Sequence, residues 1–353
     1  MNIRPVTVDR LTSGEIAAWS EIQRGNPMLS SPYFRPEFVQ AVAAVRRNVE
    51  VAVLEQGGRP VGFFPYERTL CNGGRPVAGR LSDFQAVIAP ADLAWDPREL
   101  LRSCRLWTWH FDHLVAAQRS FAPHMLGQDE SPFIVLGDEH SPSAESRLKL
   151  AMDHGQKRRK IEREVGPMRF VPHVADRTIL AKLIEWKGAQ FRRAGLRNIF
   201  DFAWARNLLD RILEQDGEDF ASMLSVLYAG DVVAAIHFGM RSGDVLHAWF
   251  PTYNPQLAKY SPGMLQFLEL MQAGRSLGLR RIDLGKGPEQ FKRRLMTGTL
   301  SVAEGAVDLR PGLDRARRLW RTARDRIHSS RFYAPARFPA RMIYKLRSRL
   351  ELQ

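Results

Sequence analysis

VLHAWFPTYNPQLAKYSPGMLQFLELMQAGRSLGLRRIDLGKG, residues Val245–Gly287, changes its hydrophobic period twice, and that change decides the fold. Val245–Tyr253 reads as a strand. Ser261-Pro262-Gly263 then opens a helix, because serine suits the N-cap and proline the first helical position. Met264, Phe267, Leu268, Met271 and Leu277 give that helix one apolar stripe, and Gly278 suits its C-cap. Arg281–Leu284 returns to a strand. A full helix separates the two strands, so they are expected to lie parallel.

Working outward, Met223–Tyr228, Val232–Met240 and Val245–Tyr253 form an antiparallel meander, joined by the tight turns Ala229-Gly230-Asp231 and Ser242-Gly243-Asp244. Upstream lie a short strand at Met168–Val171, a helix ended by Gly195, and a second helix over 201–215. Downstream come a short helix, Glu289–Leu295, and a last strand, Thr299–Asp308. The order is β-α-α-β-β-β-α-β-α-β. The first half repeats it more faintly, with a strand at 3–8, helices at 14–23 and 36–45, and a hairpin turning at Gln56-Gly57-Gly58. Val51–Arg68 lies on Leu224–Arg241 without a gap, turn on turn, with four of eighteen positions identical. Further strands are expected at Leu106–Phe111 and Phe133–Leu136, and a helix near 97–103. The fold class is α/β (α+β): two similar units, each a mixed, mostly antiparallel sheet flanked by helices. Their expected bounds are 1–139 and 168–310, with a linker helix at 140–167 and a tail at 311–353.

The length of 353 residues fits two cores. Two cysteines, Cys71 and Cys104, without metal-ligand spacing argue against a disulfide scaffold and a zinc site. The N-terminus lacks an apolar leader, and no run is long and apolar enough to span a bilayer, so a cytoplasmic protein is expected. The net charge is +14, of which residues 313–353 carry twelve basic against three acidic groups, or +9. The remaining +5 is ordinary, and no nucleic-acid module accompanies it, so nucleic acid is not the expected partner. The tail places Leu313, Trp320 and Ile327 on one helical face and arginines off it, which suits either a membrane surface, a protein partner or packing on its own domain. Lys157-Arg158-Arg159-Lys160 in the linker reads as a solvated helix face or as a basic lip for anions. There is no nucleophile elbow, GxxxxGK[ST] loop or GxGxxG after a strand, which removes hydrolase, nucleotide hydrolysis and dinucleotide readings.

The residues Ala248–Pro255, Ser261-Pro262-Gly263, Gly278–Gly287 and Phe291-Lys292 together resemble the CelD-like branch of the GNAT acyltransferase superfamily, which is related to the FemAB peptidyltransferases. Lys157–Lys160 and Leu81-Ser82-Asp83-Phe84 add to the resemblance. The resemblance implies a tandem GNAT-like fold and transfer of an acyl group from acetyl-CoA or another acyl-CoA to an amine or hydroxyl of a polar acceptor, in polysaccharide or cell-envelope synthesis. No metal is implied. It also implies that the strands at 245–253 and 281–285 splay to hold the pantetheine. The cofactor pyrophosphate would then lie over Ser261, Gly263 and Met264, with Lys259 or Lys286 nearby. FemAB relatives share the architecture but use aminoacyl-tRNA, and Gln256–Gly263 departs from the usual phosphate loop by offering one glycine. Aminoacyl-tRNA-dependent transfer and a GNAT-shaped binding protein without chemistry therefore stay open.

Lys292 occupies the family's [FY]K position, which implies stabilisation of developing negative charge; otherwise it is a surface lysine. Asp283 reads as an acid–base or orienting group, or as a ligand of local amides. His237 reads as a general base or a hydrogen-bonded core histidine. Tyr253, Trp249 and Asp83 are expected at the substrate, or as a buried tyrosine, a packing tryptophan and a turn-forming aspartate.

Overall fold

The computed structural model describes residues 1–137, 144–287 and 290–312. The tail from 313 on, and with it the expected interfacial helix, lies outside the described residues. The chain divides into two compact units. Among the described residues, one takes 1–29, 42–129 and 301–312; the other takes 30–41 and those between 130 and 300.

In the first unit six strands run across the sheet in the order β1 (Asn2–Thr7), β2 (Val49–Gln56), β3 (Arg59–Thr69), β4 (Gly73–Arg75), β5 (Thr108–Val115) and β12 (Gly298–Asp308). Helix α1 (Ser13–Gly25) starts from a capping box in which Thr12 and Glu15 satisfy each other's backbone amides. Helix α3 (Pro97–Ser103) starts at Asp96, whose carboxylate accepts from Arg98 and Glu99. The core gathers Phe64, Tyr66, Leu100, Leu101, Trp109, Phe111 and Phe121.

In the second unit the order is β7 (Met168–Val171), β8 (Ala221–Ala229), β9 (Val232–Ser242), β10 (Val245–Tyr253), β11 (Arg281–Asp283) and β6 (Met125–Val135). Helices α5 (Arg177–Arg193) and α6 (Ala203–Leu213) fall between β7 and β8, and α7 (Pro262–Gly274) between β10 and β11. Ile134, Leu246, Phe267, Leu270, Ile282, Leu284 and Leu295 form one core.

The repeat expected from the sequence is visible strand by strand. Both units are antiparallel except for one parallel pair, β4 with β5 in the first and β10 with β11 in the second. The two hairpins even slip register at aligned places: between Leu54 and Glu55, and between Leu227 and Tyr228, in segments that superpose in sequence at a constant offset. A β-bulge is a specific local device, so its recurrence at one aligned position supports a true repeat.

The chain does not respect the expected boundaries at three places. The last strand, β12, pairs with β5 of the first unit rather than completing the second. Residues 133–135 of β6 pair with β11 instead. Residues 30–41, which include most of α2 (Pro36–Ala43), also belong to the second unit. The expected linker helix is real, as α4 (Ala144–Glu164), but it is not a linker. Its Ile161 is fully buried with Leu227, Ala229, Tyr260 and Leu265, so it is part of the second unit's core.

Candidate active site: a splayed strand pair in the second unit

Strands β10 and β11 pair at only three positions, the last being His247 with Asp283. Strand β11 ends there, and Leu284 donates to Pro132 on the opposite side, 2.9 Å away. Strand β10 runs on to Tyr253. At the divergence β10 also breaks step with β9, between His247 and Phe250. Gly239 makes this bulge sterically feasible, because a Cβ there would sit 2.6 Å from the His247 carbonyl oxygen. Beyond the bulge α5 takes over as partner. Lys187 donates to the Pro251 carbonyl at 3.0 Å, and Gln190 donates to the Thr252 hydroxyl at 3.0 Å. The result is a wedge, open toward Tyr253 and closed at His247 and Asp283, at the strand pair where the family resemblance implies one.

Lys292 on α8 (Gln290–Leu295) is buried at the β11 side of this wedge. Its ammonium donates to the carbonyls of Gly285 (3.1 Å) and Lys286 (3.3 Å), immediately after the strand. It is therefore not a surface lysine, whereas its neighbours Arg293 and Arg294 are exposed. Lys286 contributes its backbone here.

Asp283 is only 1% exposed. Its Oδ1 lies 2.8 Å from Nε of Arg281, and its Oδ2 accepts from Nη2 at 3.3 Å. Burial raises its pKa, while the Arg281 guanidinium and His247 pull the other way. Arg281 also donates to the Ser30 hydroxyl at 2.8 Å, and Tyr33 meets the His247 ring edge-on at 4.9 Å. Residues 30–41 thus form the floor under the closed end of the wedge.

The sequence-derived candidates do not all converge. His237 faces α7, with Nδ1 3.4 Å from the Ser225 hydroxyl and its ring 5.9 Å from Phe267. Asp283 faces the 30–41 segment, so strand alternation puts the two on opposite sides of the sheet. Burial holds the His237 imidazole neutral, with its pKa lowered to about 3. The geometry is that of a core histidine. Trp249 likewise packs in an aromatic cluster with Tyr33, Phe38, Phe238 and Phe250. Tyr253 is 38% exposed at the open end, and a Cβ on Gly263 would lie 3.5 Å from its ring. Asp83 belongs to the first unit, half-buried after the turn Gly79–Leu81.

The N-terminus of α7 differs from expectation. Ser261 is left-handed (φ 54°) and makes no side-chain cap; its hydroxyl instead accepts from Lys157 of α4 at 2.7 Å. The Ser261 amide donates to Ala258, and that of Met264 donates to the Ser261 carbonyl. Pro262 has no amide, so Gly263 carries the available N–H of this segment. Lys259 is engaged by Glu164 at 3.2 Å, and Tyr260 donates to the same carboxylate at 2.6 Å. These bonds lower the Glu164 pKa to about 2, Tyr260 first and Lys259 second. Helix α7 also ends a turn early, at Gly274, and Gly278 (φ 75°) closes the turn that follows. Half of the basic stretch of α4 is engaged: Lys157 holds Ser261, and Arg158 pairs with Glu162 and Glu269.

Residues 151–293 match a family model described as an acetyltransferase (GNAT) domain. The second unit has the GNAT fold.

Solved structures similar to the whole chain point the same way. They include FemX (TM-score 0.55, 10% identity, covering 90% of this chain and 99% of that one). The C-terminal domain of a putative lysylphosphatidylglycerol synthetase from Agrobacterium fabrum gives a TM-score of 0.54 at 14% identity, covering 86% and 94%. A tandem GNAT protein from the clavulanic acid biosynthesis pathway gives 0.50 at 11%, covering 88% and 99%. At these identities the likeness is one of fold. No curated protein matches the chain. In the GNAT unit, sequence reading did not single out Arg281, His247 or Ser30, and it read Lys157 only as part of a basic stretch. Arg281 could have been found, since an arginine two residues before an acid on a strand shares its face. Ser30 could not, being 251 residues from its partner. No metal-binding cluster occurs among the described residues, and no helix among them is long and apolar enough to cross a membrane.

Proposed function

We propose that the chain transfers an acyl group from acyl-CoA to an amine or hydroxyl of a polar acceptor, with the thioester held in the β10/β11 wedge. The observation that carries this reading is the wedge itself: two parallel strands that part at His247 and Asp283, with a buried ammonium at their divergence. The acceptor's lone pair attacks the thioester carbonyl carbon, the C–S bond breaks, and the acceptor's proton ends on the departing thiolate. Lys292 would stabilise the charge that grows on the carbonyl oxygen. Asp283, held by Arg281, would orient or deprotonate the acceptor. Ser261, Gly263 and Met264 would meet the donor phosphates, with Lys157 in the role first given to Lys259. The CelD-like motifs favour a sugar or polysaccharide precursor as acceptor.

A second reading has a specific observation behind it. The α7 N-terminus presents one available amide, and its nearby cations are already engaged, which is a poor cradle for a pyrophosphate. Transfer from aminoacyl-tRNA, as in the FemAB relatives, needs no such cradle. Thermal unfolding with acetyl-CoA, longer acyl-CoAs and free CoA separates the two. A donor at 100 times its dissociation constant stabilises by about 2.7 kcal/mol. Stabilisation by acyl-CoA together with transfer to amino sugars is the expected result; no stabilisation by any CoA species, with transfer from aminoacyl-tRNA, establishes the alternative.

A further inference from the structure

The first unit contains a concavity outside the wedge, lined by Arg75, Pro76, Gly79, Arg80, His110, Phe111 and Asp112. Its volume, about 70 Å³, is room for roughly five water molecules, enough for a carboxylate or phosphate head but too little for a nucleotide. The groups that line it are mostly cationic or neutral donors, and they are held in place from behind. Glu67 is fully buried and accepts from Arg75 at 2.8 Å and Arg46 at 3.1 Å. Its other oxygen accepts the amide of Ala78 at 2.9 Å. One carboxylate thus fixes both an arginine of the wall and the loop that presents the other.

That loop is strained in a way its sequence does not require. Ala78 has φ 62° and Gly79 φ 53°, and a left-handed alanine persists only where its surroundings impose it. The turn Gly79–Leu81 follows at once and projects Arg80, which is exposed, over the cavity. On the opposite wall β5 alternates His110 and Asp112 on one face, with the His110 Nε2 3.5 Å from the Thr108 hydroxyl. Asp112 sits at the rim, 57% exposed, where it accepts from Gln85 at 2.7 Å. Arg75 and Arg80 bring two guanidinium groups to the cavity, and Asp112 brings one carboxylate to its rim. Guanidinium matches carboxylate and phosphate by paired N–H bonds, whereas a rim carboxylate accepts from hydroxyls. Pro76 adds an apolar surface.

We propose that this cavity binds the anionic head of a small polar ligand, a carboxylate or a phosphate monoester carrying hydroxyl groups. The site stands independently of the transfer reading, and its test does not use acyl-CoA. The full chain is titrated calorimetrically with inorganic phosphate, glucose 6-phosphate and glucuronate at constant ionic strength. The expected result is saturable binding of at least one of the three. Arg80→Gln should weaken it about ten- to a hundredfold, the worth of one charge-assisted pair. Asp112→Asn should tighten the bare phosphate by removing a like charge, and Arg59→Gln, at the far β2/β3 turn, should bind as the parent does. A preference between glucose 6-phosphate and glucuronate identifies the head group. Arg80 is exposed, so its substitution leaves the fold intact, unlike Arg75→Gln, which would strand Glu67. Absence of saturable binding overturns the proposal, as does parental affinity in Arg80→Gln. So does loss of binding in Lys157→Met, which would place the anion at the α7 N-terminus of the GNAT unit.

Discussion

Lys292 is the residue whose surroundings say most about chemistry. Its ammonium is buried against the carbonyls of Gly285 and Lys286, immediately after β11. Lys292→Met should lower kcat about 10²–10³-fold with little change in KM, the pattern of an interaction made as charge develops. Arg294→Met, two residues on and exposed, should behave as the parent in the same assay. Equal rates in the two variants would remove Lys292 from the mechanism. His237 makes a different prediction because its imidazole, with a pKa near 3 in the fold, protonates near 6.5 once unfolded. The unfolded chain then binds the extra proton, so this contribution is complete above about pH 6.5 and is lost as pH falls toward 3, at no more than about 1.4 kcal/mol per pH unit. Urea midpoints from pH 7 to 4.5 should fall less steeply for His237→Asn than for the parent. Parallel curves would mean that the ring is protonated inside the fold. These two residues also mark what could be read at this scale. The family motif singled out Lys292, and the fold buries its ammonium just after β11. Nothing in a lone histidine on a strand told which face it takes, because a bulge opposite Gly239, two residues from His237, resets the alternation on the neighbouring strand.

At the scale of elements, the parallel strand pair was legible, its splay came from the family resemblance, and the helix N-terminus was not legible. The parallel relation of β10 and β11 follows from the intervening helix, which sequence periodicity shows plainly. The engagement of Ser261 and Lys259 by α4 depends on contacts about 100 positions apart, between Lys157 and Ser261 and between Glu164 and Lys259. A basic run gives no sign of its partner. Gly263 tests whether the donor passes this point. A Cβ there makes only ordinary contact with Tyr253, at 3.5 Å, so Gly263→Val should fold while weakening CoA binding measured by calorimetry. Parental affinity in that variant would show that the donor enters elsewhere, and would strengthen the aminoacyl-tRNA alternative.

For the whole molecule, the two units were legible as a repeat, yet their membership was not. Hydrophobic period locates β6 and β12 but says nothing of which sheet each joins, because either sheet offers an equivalent last place. The consequence is testable with fragments. A chain of residues 1–139 lacks β12 and retains residues 30–41 without the strands they cover. It should be insoluble or lack the near-ultraviolet dichroism of packed aromatics, and so should residues 168–310 alone. Mixing or co-expressing two fragments cut at 139/140 should restore a folded complex. A soluble, cooperatively melting 1–139 fragment would show that the exchanged segments are dispensable.

The pairing of Thr108 with Asp308 has a meaning for biosynthesis. The first unit is the earlier half to leave the ribosome, yet its β5 edge waits for a strand made 200 residues later (308 − 108). At about 5–20 residues per second that wait is on the order of ten to forty seconds. Throughout it the outer edge of β5 stays open to foreign pairing, which is the circumstance in which nascent chains aggregate. Expression yield for this protein should therefore depend on holding chaperones and on slow growth temperatures more than on the stability of the finished fold.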